Sequence, residues 1–553
     1  MVRGVPSPVP LTALVAGPAG WASWDGQGLS TWPPTAVAEV AQAASTAARV
    51  VVWSAARDLD ALVAQHRPPP RILDLAECHR LTHGGWPADP GRVWAAVRGL
   101  ACGGLPDEEP DDLFAALTPD LDPEQLCTPE GYLRADAVAG TWQRTPQRLA
   151  HWARAAYEMG QATHLRMAAA GGSALASAIS ESSAALLCRE LERDGLPIHR
   201  ADMSALIAAA AGPRPADAAD GARLRAERDL AVLRHAPGHE GVDLRSPGAV
   251  KALLAALGIE VPSTRKWVLE PLRTAHPIVP ALLEWRAQER IATTYGYHWL
   301  DTHVGVDDRL RGGWTACDGA AGRMTAENGL HNLPTVLRPA VRAAPGHLFV
   351  RADLGQIEPR VLACVARDEA FAAATSADDL YAPVAARLGV DRARAKVAVL
   401  AAMYGQRSGT AGAALAGLQR AYPVAMSFLD RAYESGVAGA DLRTHGGRLI
   451  RTAGPADPGA RGRYARNALI QGAAAELFKA WAATVRVTTA DLGTQVVLCL
   501  HDELLVHVPS AHAAHCADRV EAALADASRR WSGGAPVRFV TDTAIIERWS
   551  QAK

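Results

Sequence analysis

The chain has 553 residues, more than one hydrophobic core accommodates, so three or four domains are expected. Lys and Arg total 57 against 58 Asp and Glu, a net charge of −1, which excludes a bulk basic nucleic-acid binder but leaves room for a local basic groove. Eight scattered Cys without C-x-x-C spacing suggest neither a zinc site nor a disulfide framework and fit a reducing cytoplasm; no signal sequence or transmembrane span is evident.

In chain order, residues 1 to about 165 read as mixed α/β, with "ARVVVWSA" and "PRILDLAE" as short strands and "LPDEEPDD" as an acidic loop. From about 170 to 310 the pattern is helical. "SESSAALLCRELERDGLPIHRADMSALIAAA" carries Ser/Glu capping signals, an apolar stripe and a Gly-Leu-Pro stop. "AGPRPADAADGA" reads as a flexible excursion. After about 310, strand-like runs alternate with helices. "HLFVRADLGQIEPRVLACVA" and "QVVLCLHDELLVHVP" are the clearest strands, separated by about 130 largely helical residues.

Those two runs carry carboxylates at a cost. Asp353 closes "LFVRAD", and Asp502 and Glu503 follow His501 inside "LCLHDELLVHV", where desolvated acids need a partner. Asp353 alone reads as a strand-end cap, and Asp502 with Glu503 as a paired core acid. Three acids on two apolar strands are better explained by hard cations: Mg²⁺ favours one or two carboxylates plus substrate phosphates, and two such ions serve in-line phosphoryl transfer. Pleating sends Asp502 and Glu503 to opposite faces unless a turn intervenes, so "HDE" is expected at a hairpin tip. The helix-forming "DRARAKVAVLAAMYGQ" adds Arg392 and Lys396 at i, i+4, with Tyr404 two turns on, spanning about 18 Å. A solvated cationic face with a core Tyr is the plainer reading. Only five residues are Lys (Lys251, Lys266, Lys396, Lys479 and Lys553), which favours a functional Lys396.

These segments resemble the signature motifs of family A DNA polymerases, the DNA polymerase I type. "DLGQIEPR" is similar to D-Y-S-Q-I-E-L-R, "RARAKVAVLAAMYG" to R-x3-K-x3-F-G-x2-Y-G, and "LHDELL" to V-H-D-E-x. "RIATTYGYHWL", "GRMTAENGLHNLP" and "RYARNALIQGAAAELFKAW" extend the resemblance, which runs from about 180 to 553.

The resemblance implies an α/β multidomain fold: a degenerate RNase H-like exonuclease domain (1–168), a thumb (169–310), a palm in two parts (311–385 and 488–553), and fingers with connecting helices (386–487). It implies Asp353 and Asp502 as ligands of two Mg²⁺, with Mn²⁺ as a substitute, and Glu503 as an accessory ligand. Arg392 and Lys396 would bind the triphosphate of a dNTP, Lys396 passing a proton to pyrophosphate. Tyr404, Gln356 and Leu400 would lie around the nucleotide, and Glu358 would crowd the sugar 2′ position. Arg323, Arg463, Asn467, Gln471, His501, Thr294 and Tyr295 would contact primer–template DNA. Six Arg between 441 and 466 against two Asp would add phosphate contacts. Leu400 and Ala401 depart from the family's aromatic-Gly pair.

The N-terminal region lacks the D-x-E of a proofreading exonuclease, and Gln161 stands four after Tyr157 where an Asp is required. Asp74 resembles that domain's middle acid. The expectation is a monomeric, cytoplasmic, nucleoid-associated DNA polymerase for repair or replication, without proofreading, 5′-nuclease domain or membrane contact. The alternative is a catalytically weak primer–template-binding paralogue.

Overall fold

The computed structural model describes residues 9–106, 124–405 and 411–552. The chain divides into two compact units. The first comprises the chain up to Asp194, Gly313–Ala326 and Gly346–Ile546; the second comprises Gly195–Gly312, Glu327–Pro345 and the segment from Glu547.

The first unit opens with a five-stranded sheet. Thr12–Gly17, Gly20–Trp24 and Leu29–Trp32 form an antiparallel meander. Gly20, at φ +118°, is obligatory in its turn: a Cβ there would lie 2.1 Å from the Trp32 carbonyl oxygen. Val50–Val52 and Ile72–Asp74 continue the sheet in parallel and are buried throughout, the acid Asp74 included, as strands covered on both faces must be. Helices Pro146–Ala169 and Gly172–Asp194 pack against it, with Trp53 stacked on Trp152 at 4.5 Å. Thr145 caps the first of these helices and Pro146 opens it.

A second sheet of the same unit is antiparallel, ordered Gln495–Cys499, Glu503–Pro509, His347–Leu354, Thr541–Ile546. The apolar run after Asp353 does not stay extended. Gln356 takes a left-handed φ of +50°, and Ile357–Ala366 is a helix that buries Ile357, Val361 and Leu362. Pro458–Thr488 is a 31-residue helix capped by Asp457, with Pro458 at its first position. It packs against Gly172–Asp194, Pro423–Val437 and Ala513–Trp531, and its middle, residues 472–479, is buried on all sides.

That burial encloses a balanced charge cluster. Lys479 is fully buried and donates to Glu181 and to the carbonyls of Ala316 and Gly322. Arg448 pairs with Glu181 at 2.6 Å and donates to the Cys317 sulfur at 2.9 Å. Glu476 accepts from Gly446 N–H and the Thr444 hydroxyl.

The second unit is mainly helical. Its core gathers Val232, Leu253, Leu254, Leu282 and Trp285. "AGPRPADAADGA" is irregular only from Gly212 to Asp217: Asp217 accepts from Asp220 N–H at 2.8 Å and starts the helix Ala218–Leu233. No helix among the described residues is long and apolar enough to cross a membrane.

Candidate active site

The first unit brings the acids of the two distant strands together. Cys499 ends one arm of a hairpin and Glu503 begins the other, so His501 and Asp502 occupy the exposed turn. Leu500 N–H closes the turn onto the Glu503 carbonyl at 2.8 Å, and Leu354 N–H holds the Asp502 carbonyl at 2.7 Å. Register then sets Asp353 opposite Glu503 on one side and opposite Asp542 on the other. Like charges directly opposed across strands repel. Arg351, two residues before Asp353 and therefore on the same face, answers all three. Its guanidinium reaches Asp353 at 2.7 Å, Glu503 at 3.1 Å and Asp542 at 3.2 Å, with only 6% of its side chain exposed.

One guanidinium does not balance the cluster. Burial, then the neighbouring Asp502, pushes the Asp353 carboxyl up to about 6 against the pull of Arg351. The Asp502 carboxyl is also raised, by crowding protein and then by Glu503 and Glu358, although the residue lies at an exposed turn. No salt bridge reaches Asp502 among the described residues. The donors are all hard carboxylate oxygens under mutual repulsion, which suits Mg²⁺ or a similar hard cation. The other acid–thiol grouping, Glu77, Glu181 and Cys317, does not suit a metal, because Arg448 and Lys479 already fill it.

Glu358 extends the site. It accepts from Arg323 at 3.2 Å and lies 3.4 Å from the Tyr404 hydroxyl; burial raises its carboxyl, with Arg323 opposing. Tyr404 ends the helix Arg392–Tyr404, capped by Asp391. Ala395, Ala398, Val399, Ala401 and Ala402 face the core, which leaves Arg392, Lys396, half-buried Leu400 and Tyr404 along the outer stripe. Arg392 is tied to Asp379 (Nη2 to Oδ1, 3.3 Å) and lies over Tyr381 at 5.7 Å. The Gln356 amide oxygen accepts from Leu380 N–H at 3.1 Å and so anchors the chain after the turn. Arg463, Asn467 and Gln471, at i, i+4 spacing, form a partly exposed stripe on the long helix.

Two expectations need correction. The Arg-rich stretch is mostly internal glue. Arg448 and Arg466 are buried, the latter on the Ala402 carbonyl and Asp430. Arg461 caps the end of Pro423–Val437 through the Gly436 and Val437 carbonyls. Arg443 and Arg451 donate to the Thr82 and His83 carbonyls at the end of helix Leu75–His83. Arg463 stays exposed, with Asp457 at 3.6 Å. Helix ends leave carbonyls unsatisfied, and a long guanidinium serves them well.

Tyr295, the second correction, is 2% exposed in the second unit and donates its hydroxyl to the Asn332 carbonyl at 2.8 Å, so it presents nothing to a nucleic acid. Thr294 beside it is exposed and lines a cavity of about 790 Å³ with Arg245, Lys251, Arg265, Arg286 and Arg290.

Sequence reading missed Arg351 and Asp542. Arg351 carried a signal, its i−2 spacing from Asp353. Asp542, in an ordinary alternating strand and 76% exposed, carried none.

Acids thus gather at one end of neighbouring strands of an antiparallel sheet, and Glu358 joins them to a cation-bearing helix. The polymerase domain of Pol1 from M. smegmatis, in complex with DNA primer–template and dNTP, matches 98% of this chain and 95% of its own length with a TM-score of 0.67 at 20% identity. The family model of DNA polymerase family A matches residues 232–551, and the chain belongs to that family. DNA polymerase I of Chloroflexus aurantiacus is 31% identical over 307 residues, covering 49% of this chain and 32% of the relative. DNA polymerase theta of Caenorhabditis elegans is 27% identical over 280 residues, covering 47% of this chain and 17% of the relative. The matches thus span a third or less of these relatives' own length.

Proposed function

We propose that the chain is a template-directed DNA polymerase that adds dNTPs to a primer 3′-OH, working as a monomer in repair or gap filling. The observation that carries this is the convergence of Asp353 and the Asp502 turn inside the span matched by the family model. Asp353 and Asp502 would hold two Mg²⁺ or Mn²⁺, which supply charge neutralisation for in-line displacement at the α-phosphorus. Arg392 leaves Asp379 to bind the triphosphate, and Lys396 gives a proton to the departing pyrophosphate. Tyr404 and Leu400 pack against the incoming nucleotide, and Glu358, held by Arg323, crowds a ribose 2′-OH. Arg463, Asn467, Gln471 and His501 meet primer and template. The cationic cavity beside Thr294 suits the duplex backbone. A DNA- and dNTP-bound relative of the same fold agrees with this choice of substrates.

Absence of proofreading is supported by what the buried N-terminal acids do. Asp58 is spent on the Trp53 and Ala16 N–H groups, and Asp74 on those of Ala55 and Glu77. Gln161 donates its amide to the Tyr157 hydroxyl at 2.7 Å.

Primer extension with Mg²⁺ and dNTPs, run beside Asp502→Ala, tests the reading. Extension by the wild type alone supports it, and extension no better than the variant overturns it. Trimming of a mismatched 3′ end in the same tubes contradicts the loss of proofreading. The alternative, a weak primer–template binder, draws on the Arg392–Asp379 pair, which occupies a triphosphate cation. In that case DNA binding persists without extension.

A further inference from the structure

The two-metal reading leaves Arg351 without a role, yet it is the most heavily engaged side chain of the site. We infer that Arg351 is a resident cation of the carboxylate row: it keeps Glu503 and Asp542 as counter-ions and competes with divalent metal for Asp353. Glu503 is then a positioning residue that holds Arg351, and the metals rest on Asp353 and Asp502.

The geometry carries this. A guanidinium keeps its charge at any working pH, and the stem of this one is buried beneath the row. One terminal nitrogen sits between Asp353 and Glu503, and the other faces Asp542. Tethered two residues from Asp353 on the same strand face, Arg351 stays at high local concentration and cannot diffuse away as an ion does. Metal must therefore share Asp353 with it or push it aside. Asp502, at the turn, is in no salt bridge among the described residues; Arg323, paired with Glu358, acts on it only from a longer range. The inference rests on the proposed metal role of Asp353 and Asp502.

Mn²⁺ binding to the full chain, followed by the electron paramagnetic resonance of free Mn²⁺, tests it without an activity assay. Arg351→Gln is expected to tighten Mn²⁺ binding by about tenfold, since a unit charge is removed beside a divalent ion at a solvent-accessible site. Arg351→Lys keeps the charge and is expected to stay within about threefold of the wild type. Unchanged or weaker binding by a folded Arg351→Gln makes the arginine a strand clamp only and overturns the inference; so does Arg351→Lys behaving like Arg351→Gln. The double variant Arg351→Gln/Glu503→Gln removes the pair together and guards against misfolding from an orphaned buried acid. It is expected to bind Mn²⁺ at least as tightly as the wild type, and loss of binding there makes Glu503 a ligand and overturns the inference. The two readings fail differently. Binding abolished by Asp502→Ala but indifferent to Arg351 rejects only the role of Arg351. No Mn²⁺ bound by the wild type or by Arg351→Gln rejects the metal site as well.

Discussion

The first unit contains two charge clusters built from similar side chains, one buried and one partly open to solvent, and they end in opposite states. Around Glu181, Arg448 and Lys479 close on the acid from both sides. Burial works to raise its carboxyl, but the two cations hold it below the usual range. Around Asp353, three acids (Asp353, Glu503 and Asp542) share one guanidinium, Asp502 beside them is in no salt bridge among the described residues, and the Asp353 carboxyl is pushed up to about 6. The first cluster is complete within the chain and stitches helices and strands together. The second is left short of positive charge, and that shortfall is what a divalent cation can supply. Compensation, more than burial or residue type, separates a structural charge cluster from a candidate active site.

Four substitutions bear on that contrast. The largest effect is expected at the undercompensated cluster: Asp502→Ala should lower primer extension by about 10³-fold or more while leaving the melting temperature near that of the wild type. A large loss of stability there would erase the distinction. Glu181→Gln should do the reverse. It strands Lys479 and Arg448 in the interior and should cost about 3 kcal/mol of stability, read by denaturant unfolding. Little loss would mean that the closed cluster is not closed.

Lys396→Ala, on the exposed stripe, should reduce the rate of extension by about 30- to 100-fold with no change in unfolding, because the lysine touches only substrate in this reading. The smallest effect is expected from Asp353→Asn without metal. Asp353 faces Arg351 on its own strand, Asp502 and Glu503 on the hairpin, and Asp542 on the edge strand. Its folded value of about 6 lies above the ordinary 3.8, so its contribution to stability is present below about pH 4 and lost as the pH rises through 6. Near pH 7.5 the ionised acid costs stability. The amide should therefore gain about 1 kcal/mol there, after discounting for solvent screening, and nothing near pH 4. Equal gains at both would show that the acid is not electrostatically strained.

Much of the site was legible in the sequence because it depends on local periodicity. "LFVRAD" and "LCLHDELLVHV" put acids into apolar strands, where only a partner could justify them. Pleating implied that Asp502 and Glu503 needed a turn between them, and the structure has that turn. Arg392, Lys396 and Tyr404 followed from helical spacing and lie along one outer stripe. Local pattern failed where a residue's partner is remote. The six arginines of 441–466 look alike in sequence, but carbonyls and acids far along the chain claim most of them. Tyr295, a DNA contact only by family resemblance, is buried with its hydroxyl on the Asn332 carbonyl.

The sequence by itself determined which acids are costly, which cations share a helix face and where a hairpin must turn, because side-chain direction follows the backbone period. Only the tertiary structure decided which of those charges are satisfied. Arg351 meets Glu503 across 152 residues and Asp542 across 191, and Lys479 meets Glu181 across 298. No periodicity reaches over such separations; strand order and register bring those groups within hydrogen-bond distance, and with that they set which cluster is sealed and which still has room for a cation.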